Sequence, residues 1–248
     1  MSDSSFDCVI IGAGMSGLAA GIRLAMFDKK VCILESHSIE GGLNSYYQRK
    51  GFKLDVGLHA LTNFATKENK KGPLGKLLKQ LRIPYDLLEL REQVQSRVSF
   101  DDCSIRFTND LEVLISEVGN SFPHEKDNFL KLLAHIKTYN ELDYDAKYTS
   151  AKQVVASFIK DPLLSEMLFC PVLIYGSAWE NDMDFAQFVI MFKSIFMEGF
   201  SRPEGGVRTI LNLLLKRYKE LGGEIRFRAA VEEIKTRDNK ACGVVLKN

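Results

Sequence analysis

Gly12, Gly14 and Gly17, with Glu35 following 18 residues after the last of them, are spaced to hold a dinucleotide. The apolar run Cys8, Val9, Ile10 and Ile11 leads into the glycines, and Leu18, Ala19, Ile22, Leu24 and Ala25 continue at helical spacing. A second apolar run, Val31 to Leu34, stops at Glu35. The order is strand, tight turn, helix, strand. Gly12 permits the turn, Gly14 leaves no side chain between backbone and pyrophosphate, and Gly17 lets the helix sit close to the sheet. The amides of the helix start, in the stretch Gly12, Ala13, Gly14, Met15, Ser16 and Gly17, face the phosphates. Glu35 can accept hydrogen bonds from adenosine ribose hydroxyls, and its charge would repel a 2′-phosphate. A chance G-x-G-x-x-G would mark only a loop. Here the flanking strands, the small-residue helix face and the spaced acid agree on a nucleotide site.

The elements that must position these residues follow from periodicity. The loop Ser36 to Gly42 ends in the glycine pair Gly41 and Gly42, which places a second flexible turn near the same nucleotide, although a plain turn would look identical. Asn44 to Leu61 fits an extended segment or hairpin around Gly51, and Leu58 to Lys71 a loop or short helix with a basic, solvated end. Gly72 and Pro73 open an amphipathic helix with Leu74, Leu77, Leu78 and Leu81 on one side and Lys76, Lys79 and Arg82 on the other, ended by Pro84. That basic side could also rest on a membrane surface.

Glu92 to Phe107 reads as a hairpin turning at Asp101 and Asp102. Asn109 with Glu112, and Ser150 with Gln153, are spaced as capping boxes for two helices. Between them Phe129, Leu132, Leu133 and Ile136 recur at helical spacing. Asp161 and Pro162 begin a further helix, which Pro171 should bend or end, with a turn at Gly176 and Ser177. Asp184 to Phe200 has little polar face, which fits either a central core helix or the lining of a large apolar cavity; stripes of this kind are commonest in interiors. After the turn Arg202 to Gly206, a helix from Val207 ends at Gly222 and Gly223, and strands follow at Glu224–Phe227, Ala229–Lys235 and Ala241–Leu246.

Composition narrows the classes. Lys and Arg number 33 against 32 Asp and Glu, which gives no reason to expect a nucleic-acid partner. The five cysteines are scattered and mostly in apolar runs, as buried thiols in a reducing compartment would be. The four histidines show no metal-ligand spacing, so no metal site is expected. No secretory leader is visible, and the longest apolar passages are broken by charged residues such as Glu166 and Lys193. A cytoplasmic protein, with possible peripheral membrane contact, is the expectation.

Three passages resemble the phytoene desaturase-like flavoprotein oxidoreductases, nearest to the branch of carotenoid isomerases and retinol saturases. They are VIIGAGMSGLAAGIRLAMFDKKVCILESHSIEGG, GFKLDVGLHAL with His59 in the position that favours this branch, and RPEGGVRTILNLLLKRYKELGGEIRFRAAVEEI. The resemblance covers essentially the whole chain and implies FAD as cofactor. Gly12, Ala13, Gly14, Met15, Ser16, Gly17, Glu35, Ser36, Gly41, Gly42 and Leu43 would hold its ADP end. Val231 would lie near the adenine through its backbone, and Gly57, Leu58 and His59 nearer the flavin. Many related flavoproteins carry Arg after the second glycine pair; Leu43 and Asn44 stand here, which removes one cationic contact.

The fold so implied is α/β: a discontinuous Rossmann-like FAD/NAD(P)-binding domain in residues 1–71 and 201–248, with an inserted, mostly helical α+β substrate or cap region in 72–200. Family members are about twice as long, and this chain stops directly after a strand, so the C-terminal part of the fold is expected to be missing, either as an absent segment or as a partner chain. The implied activity is desaturation, saturation or isomerisation of a long apolar polyene or other lipid. No side-chain nucleophile is required, because the flavin carries the redox step. Two alternatives share the nucleotide domain: an amine oxidase-like or NAD-using oxidoreductase, and a non-catalytic module that binds a lipid or a prenylated protein.

Overall fold

Strand β1 (Cys8–Ile11) pairs in parallel with β2 (Val31–Leu34), from Cys8 opposite Val31 to Ile11 opposite Leu34. The crossover between them is α1 (Met15–Ala25), which buries Leu18, Gly21, Ile22 and Ala25. This is the computed structural model of residues 5–62, 64, 72–100, 102–143, 145–174, 177 and 179–247. The chain divides into two units, Met1–Ala60 with Lys67–Arg91 and Arg202–Asn248, and Leu61–Thr66 with Glu92–Ser201.

Within the first unit, β3 (Tyr46–Arg49) and β4 (Phe52–Asp55) form the expected hairpin. Lys50 and Gly51 at its turn have φ of 50° and 82°, the left-handed pair that a two-residue hairpin turn demands. Helix α2 (Pro73–Leu81) buries Leu78 and Leu81, whereas Leu77, expected on its apolar side, is exposed. Arg23 of α1 donates to the Gln80 carbonyl at 3.0 Å. Residues 72–91 therefore fall with the first unit, whereas the sequence reading places 72–200 together in one inserted region. Amphipathic spacing says that a face is buried and is silent on which neighbour buries it. The expected basic segment from Lys67 to Lys71 and the turn at Gly176 lie outside the described residues.

Short strands β5 (Leu90–Glu92) and β8 (Ser201–Pro203) lie where the chain passes from one unit to the other. The second unit holds the hairpin β6 (Ser96–Phe100) and β7 (Cys103–Phe107), then α3 (Leu111–Ser121), α4 (Lys126–Thr138), α5 (Ala151–Phe158), α6 (Pro162–Ile174) and α7 (Phe185–Phe192). Asp110, not Asn109, caps α3, accepting from the Glu112 amide at 3.0 Å. Asn109 instead accepts from the Phe200 amide at 2.8 Å and donates to the Phe200 carbonyl at 3.0 Å. Ser150 caps α5 through the Gln153 amide, and Asp161 caps α6 through the amides of Leu163 and Leu164. Pro171 does not end α6. Its ring nitrogen has no proton to give to residue 167, yet burial of Leu164, Met167, Leu168, Phe169 and Val172 carries the helix through to Ile174.

Phe185, Phe188, Phe192 and Phe196 are buried, with consecutive ring centroids 5.9, 5.6 and 4.7 Å apart. Of the two readings of that apolar stretch, the core one describes these four rings. Past Phe192 the helix widens into one π turn, Lys193–Met197, closed by the Glu198 amide on the Lys193 carbonyl at 2.8 Å.

The chain then returns to the first unit. Helix α8 (Arg208–Glu220) buries Ile210, Leu211, Leu214 and Tyr218, and β9 (Glu224–Arg226) joins β2 in parallel to give the order β1-β2-β9. The Tyr218 ring lies so near Gly21 that a Cβ there would stand 2.8 Å from it, which is how α1 and α8 come together. Strands β10 (Val231–Arg237) and β11 (Lys240–Leu246) close an antiparallel hairpin at Asp238 and Asn239, both with positive φ.

Candidate functional site

Gly12 has φ 97°, a value only glycine takes without strain, and its amide donates to the Leu34 carbonyl at 2.8 Å. The first glycine loop is thereby fixed over the ends of β1 and β2. A Cβ on Gly17 would lie 2.1 Å from the Gly12 carbonyl oxygen, so the third glycine is required by the turn of α1 against the loop. Gly12 and Gly14 differ: no heavy atom lies within 4 Å of where a Cβ would stand at either. Their backbone faces open space, which is the space a ligand needs. Gly14, the N-cap of α1, brings no side-chain acceptor to the helix start. Met15 is half-buried and Ser16 exposed there, whereas Ala13 is fully buried.

The second glycine turn is joined to the first. The Gly41 amide donates to the Ala13 carbonyl at 2.9 Å, and Gly14 and Gly41 form a parallel bridge. Gly41 and Gly42 both have positive φ, and a Cβ on Gly42 would meet nothing closer than the Gly14 Cα at 3.7 Å. Leu43, in the place where an arginine would supply a cation, is 84% exposed. Gly57 packs on the Leu43 carbonyl so closely that a Cβ would stand 2.4 Å from that oxygen. Leu58 is half-buried and His59 exposed, and the His59 carbonyl accepts from Arg202 at 2.7 Å.

Glu35 is buried, and its carboxylate is already engaged. Oε2 accepts from the Ala13 amide at 2.7 Å, and Oε1 from the His37 amide at 2.8 Å and the Ser36 hydroxyl at 3.2 Å. Burial alone would raise its pKa; the donated bonds of His37, Ala13 and Ser36 outweigh that and hold the carboxyl below its ordinary value. Two carboxylate oxygens offer about four acceptor positions, and the bond from Ala13 uses one of those on Oε2. The bond to Ala13 is a function of Glu35 that spacing alone does not reveal. The Glu35 and His37 carbonyls accept from the amides of Ala229 and Arg228 at 2.8 and 2.9 Å. This carries Val231, which packs with Cys32, Leu34 and Ala229, to the Glu35 end of the site.

Sequence reasoning missed Asp55, Arg202 and Arg208. Asp55, whose side chain is nearly buried, pairs with Arg202 at 2.7 Å and with Arg208. The acid was visible as part of a motif, but its partners lie about 150 residues on. Among the described residues no three His, Cys, Asp or Glu side chains gather so as to hold a metal ion. Among them, too, no helix is long and apolar enough to cross a membrane.

Glycine turn, crossover helix and terminal acid are arranged as in a Rossmann-like domain, and residues 10–81 match the model of the NAD(P)-binding Rossmann-like domain. Over nearly all its length the chain is similar to carotenoid- and retinoid-converting proteins. It is 28% identical to prolycopene isomerase 2, chloroplastic, of an Oncidium hybrid cultivar, over 98% of this chain and 46% of the relative. It is 25% identical to the all-trans-retinol 13,14-reductase of Danio rerio, over 97% of this chain and 44% of the relative. The chain thus spans about half the length of the curated relatives it matches. A solved oxidoreductase from Methanosarcina mazei shares the fold at a TM-score of 0.69 and 22% identity, over 96% of this chain and 55% of that one.

Proposed function

We propose that this chain binds FAD and serves a FAD-dependent oxidoreductase or isomerase acting on a long apolar polyene or lipid. The observation that carries the proposal is the joined pair of glycine turns, whose Gly12, Gly14 and Gly42 leave bare backbone beside the buried carboxylate of Glu35. Gly12–Gly17 and Gly41–Leu43 would take the pyrophosphate, Glu35 with Ser36 the ribose, Val231 the adenine, and Gly57–His59 the flavin side. The residues present fit such a group. Bound there, a flavin would exchange electrons with a carbon skeleton; the chain's own residues bind and orient it and exclude a 2′-phosphate through the charge of Glu35. Prolycopene and all-trans-retinol, the compounds in the names of the two relatives, are both conjugated apolar polyenes, which supports the substrate class.

Strand β1 bears on partners. Among the described residues it pairs only with β2, and Val9 and Ile11 are 37% and 52% exposed, whereas parallel strands are ordinarily covered on both faces. We infer that a further polypeptide segment, from a longer form of this chain or from a separate chain, covers β1.

The test is to add FAD and NAD separately to the purified protein and record the visible flavin spectrum and the binding isotherms. Retained flavin with weak NAD binding is expected. NAD binding without flavin would favour the NAD-using alternative, and no flavin retained would overturn the proposal.

A further inference from the structure

We propose that Asp55 and Arg202 are positioning residues that fix the backbone of Gly57–His59 against the second glycine turn, so that binding of the flavin end of the dinucleotide depends on them and binding of its ADP end does not. This rests on the reading of the ligand as FAD.

Asp55 closes β4 and begins the segment Asp55-Val56-Gly57-Leu58-His59. One guanidinium spans it: Arg202 donates through Nη2 to Asp55 Oδ2 at 2.7 Å and through Nη1 to the His59 carbonyl at 2.7 Å. The first and last residues of the segment are thus held by the two tines of one rigid fork. Inside the loop so closed, the Val56 amide donates to the Ser45 carbonyl at 3.1 Å and Gly57 lies directly on the Leu43 carbonyl. A loop pinned at both ends and in contact at its middle has little freedom to move away from Leu43.

Asp55 itself is fixed from a second side. Its Oδ1 takes Arg208 Nη1 in an ion pair, and the Arg208 guanidinium lies 5.3 Å from the centroid of the Tyr46 ring. Both oxygens of a nearly buried carboxylate are therefore engaged by different arginines, one reaching the loop and one anchored on α8. A surface ion pair would contribute little, but a shielded acid with two cations resists rearrangement. Asp55 and Arg202 make none of the hydrogen bonds or ion pairs above with the Gly12–Gly17 loop or Glu35, and the loop they fix meets the second glycine turn through the backbone of Leu43 and Ser45.

The experiment titrates the 248-residue chain with ADP by calorimetry and with FAD by flavin fluorescence and absorbance, in the wild type, Asp55→Asn, Arg202→Gln and Arg202→Lys. We expect FAD to weaken about tenfold in Asp55→Asn and Arg202→Gln with ADP held within about twofold, because only the flavin side loses its positioned backbone. The visible band of bound flavin should shift in both. Arg202→Lys, which keeps charge without the fork, should not restore it. Equal weakening of ADP and FAD would reveal a merely structural role and overturn the proposal, as would unchanged FAD binding. Should Asp55→Asn lose ADP through misfolding, Arg202→Gln decides, since Arg202 is half-exposed and its loss leaves the Asp55–Arg208 pair in place. A wild type that binds ADP but not FAD overturns the proposed function together with this inference; a wild type that binds FAD, with variants like it, overturns this inference alone.

Discussion

The main-chain amide of Ala13 donates to Oε2 of Glu35 at 2.7 Å, so the acid at the end of β2 holds the glycine loop at the end of β1. Glu35→Gln should therefore cost both stability and nucleotide affinity. The folded carboxyl sits below its ordinary value, against the pull of burial, because His37, Ala13 and Ser36 donate to it. A depressed folded pKa means that the ionised form favours folding. The stabilisation is complete above the ordinary carboxylate range, about pH 4.3, and fades as pH falls through the lower folded value. Melting temperatures of wild type and Glu35→Gln, compared from neutral to acid pH, should differ by a constant amount near neutrality and converge in acid.

Gly14 and Gly17 should separate binding from folding. A Cβ at Gly14 meets nothing within 4 Å, and its φ of −70° suits any residue. Gly14→Ala should leave stability within about 0.5 kcal/mol and weaken dinucleotide binding about tenfold or more, by occupying the ligand's space. At Gly17 the same methyl would stand 2.1 Å from the Gly12 carbonyl oxygen, which is backbone and cannot step aside cheaply. Gly17→Ala should lower stability by about 1–3 kcal/mol in a denaturant titration, even though alanine is the better helix former.

The order of strand, turn, helix and strand around these glycines was legible from spacing because β1, the turn, α1 and β2 are local: each signal lies within a few residues of the element it controls. What was not legible depends on distant partners. Asn109 has the spacing of a capping residue, but the Phe200 backbone, 91 residues away, competes for its side chain and leaves the cap to Asp110. Pro171 is a helix breaker by local rules and is overridden by the burial of its neighbours. Asp55 reads as a motif acid, and only the fold brings Arg202 and Arg208 to it. Helix α2 announces an apolar face while nothing in its own residues states that it belongs with the first unit.

Tyr218 is a test of such a distant contact. Its hydroxyl lies 2.9 Å from both the Val31 and the Glu224 carbonyls, at the start of the two strands β2 and β9 that α8 covers. Burial, above all, raises the phenol's pKa, so the group stays a protonated donor through the neutral range. Tyr218→Phe keeps the ring seated against Gly21 and removes only the donor. It should cost about 1–3 kcal/mol of stability, the penalty of a buried carbonyl left without its partner, and the loss should appear as a lower denaturation midpoint with unchanged slope.

The apolar stretch from Phe185 offers the last test, because its two readings predict opposite results. Phe188 is fully buried, with ring centroids of Phe169, Phe185 and Phe192 at 4.8, 5.9 and 5.6 Å, whereas Ile190 on the same helix is 42% exposed. In a close-packed core, Phe188→Ala removes a ring that its neighbours cannot replace and should cost about 3–5 kcal/mol. Ile190→Ala gives up far less buried area and should cost about 1 kcal/mol or less. Were these rings instead the wall of a cavity, shortening Phe188 would enlarge a space already present and the two variants would be alike in stability. Chemical denaturation of both variants beside the wild type decides, and we expect the Phe188→Ala midpoint to fall well below that of Ile190→Ala.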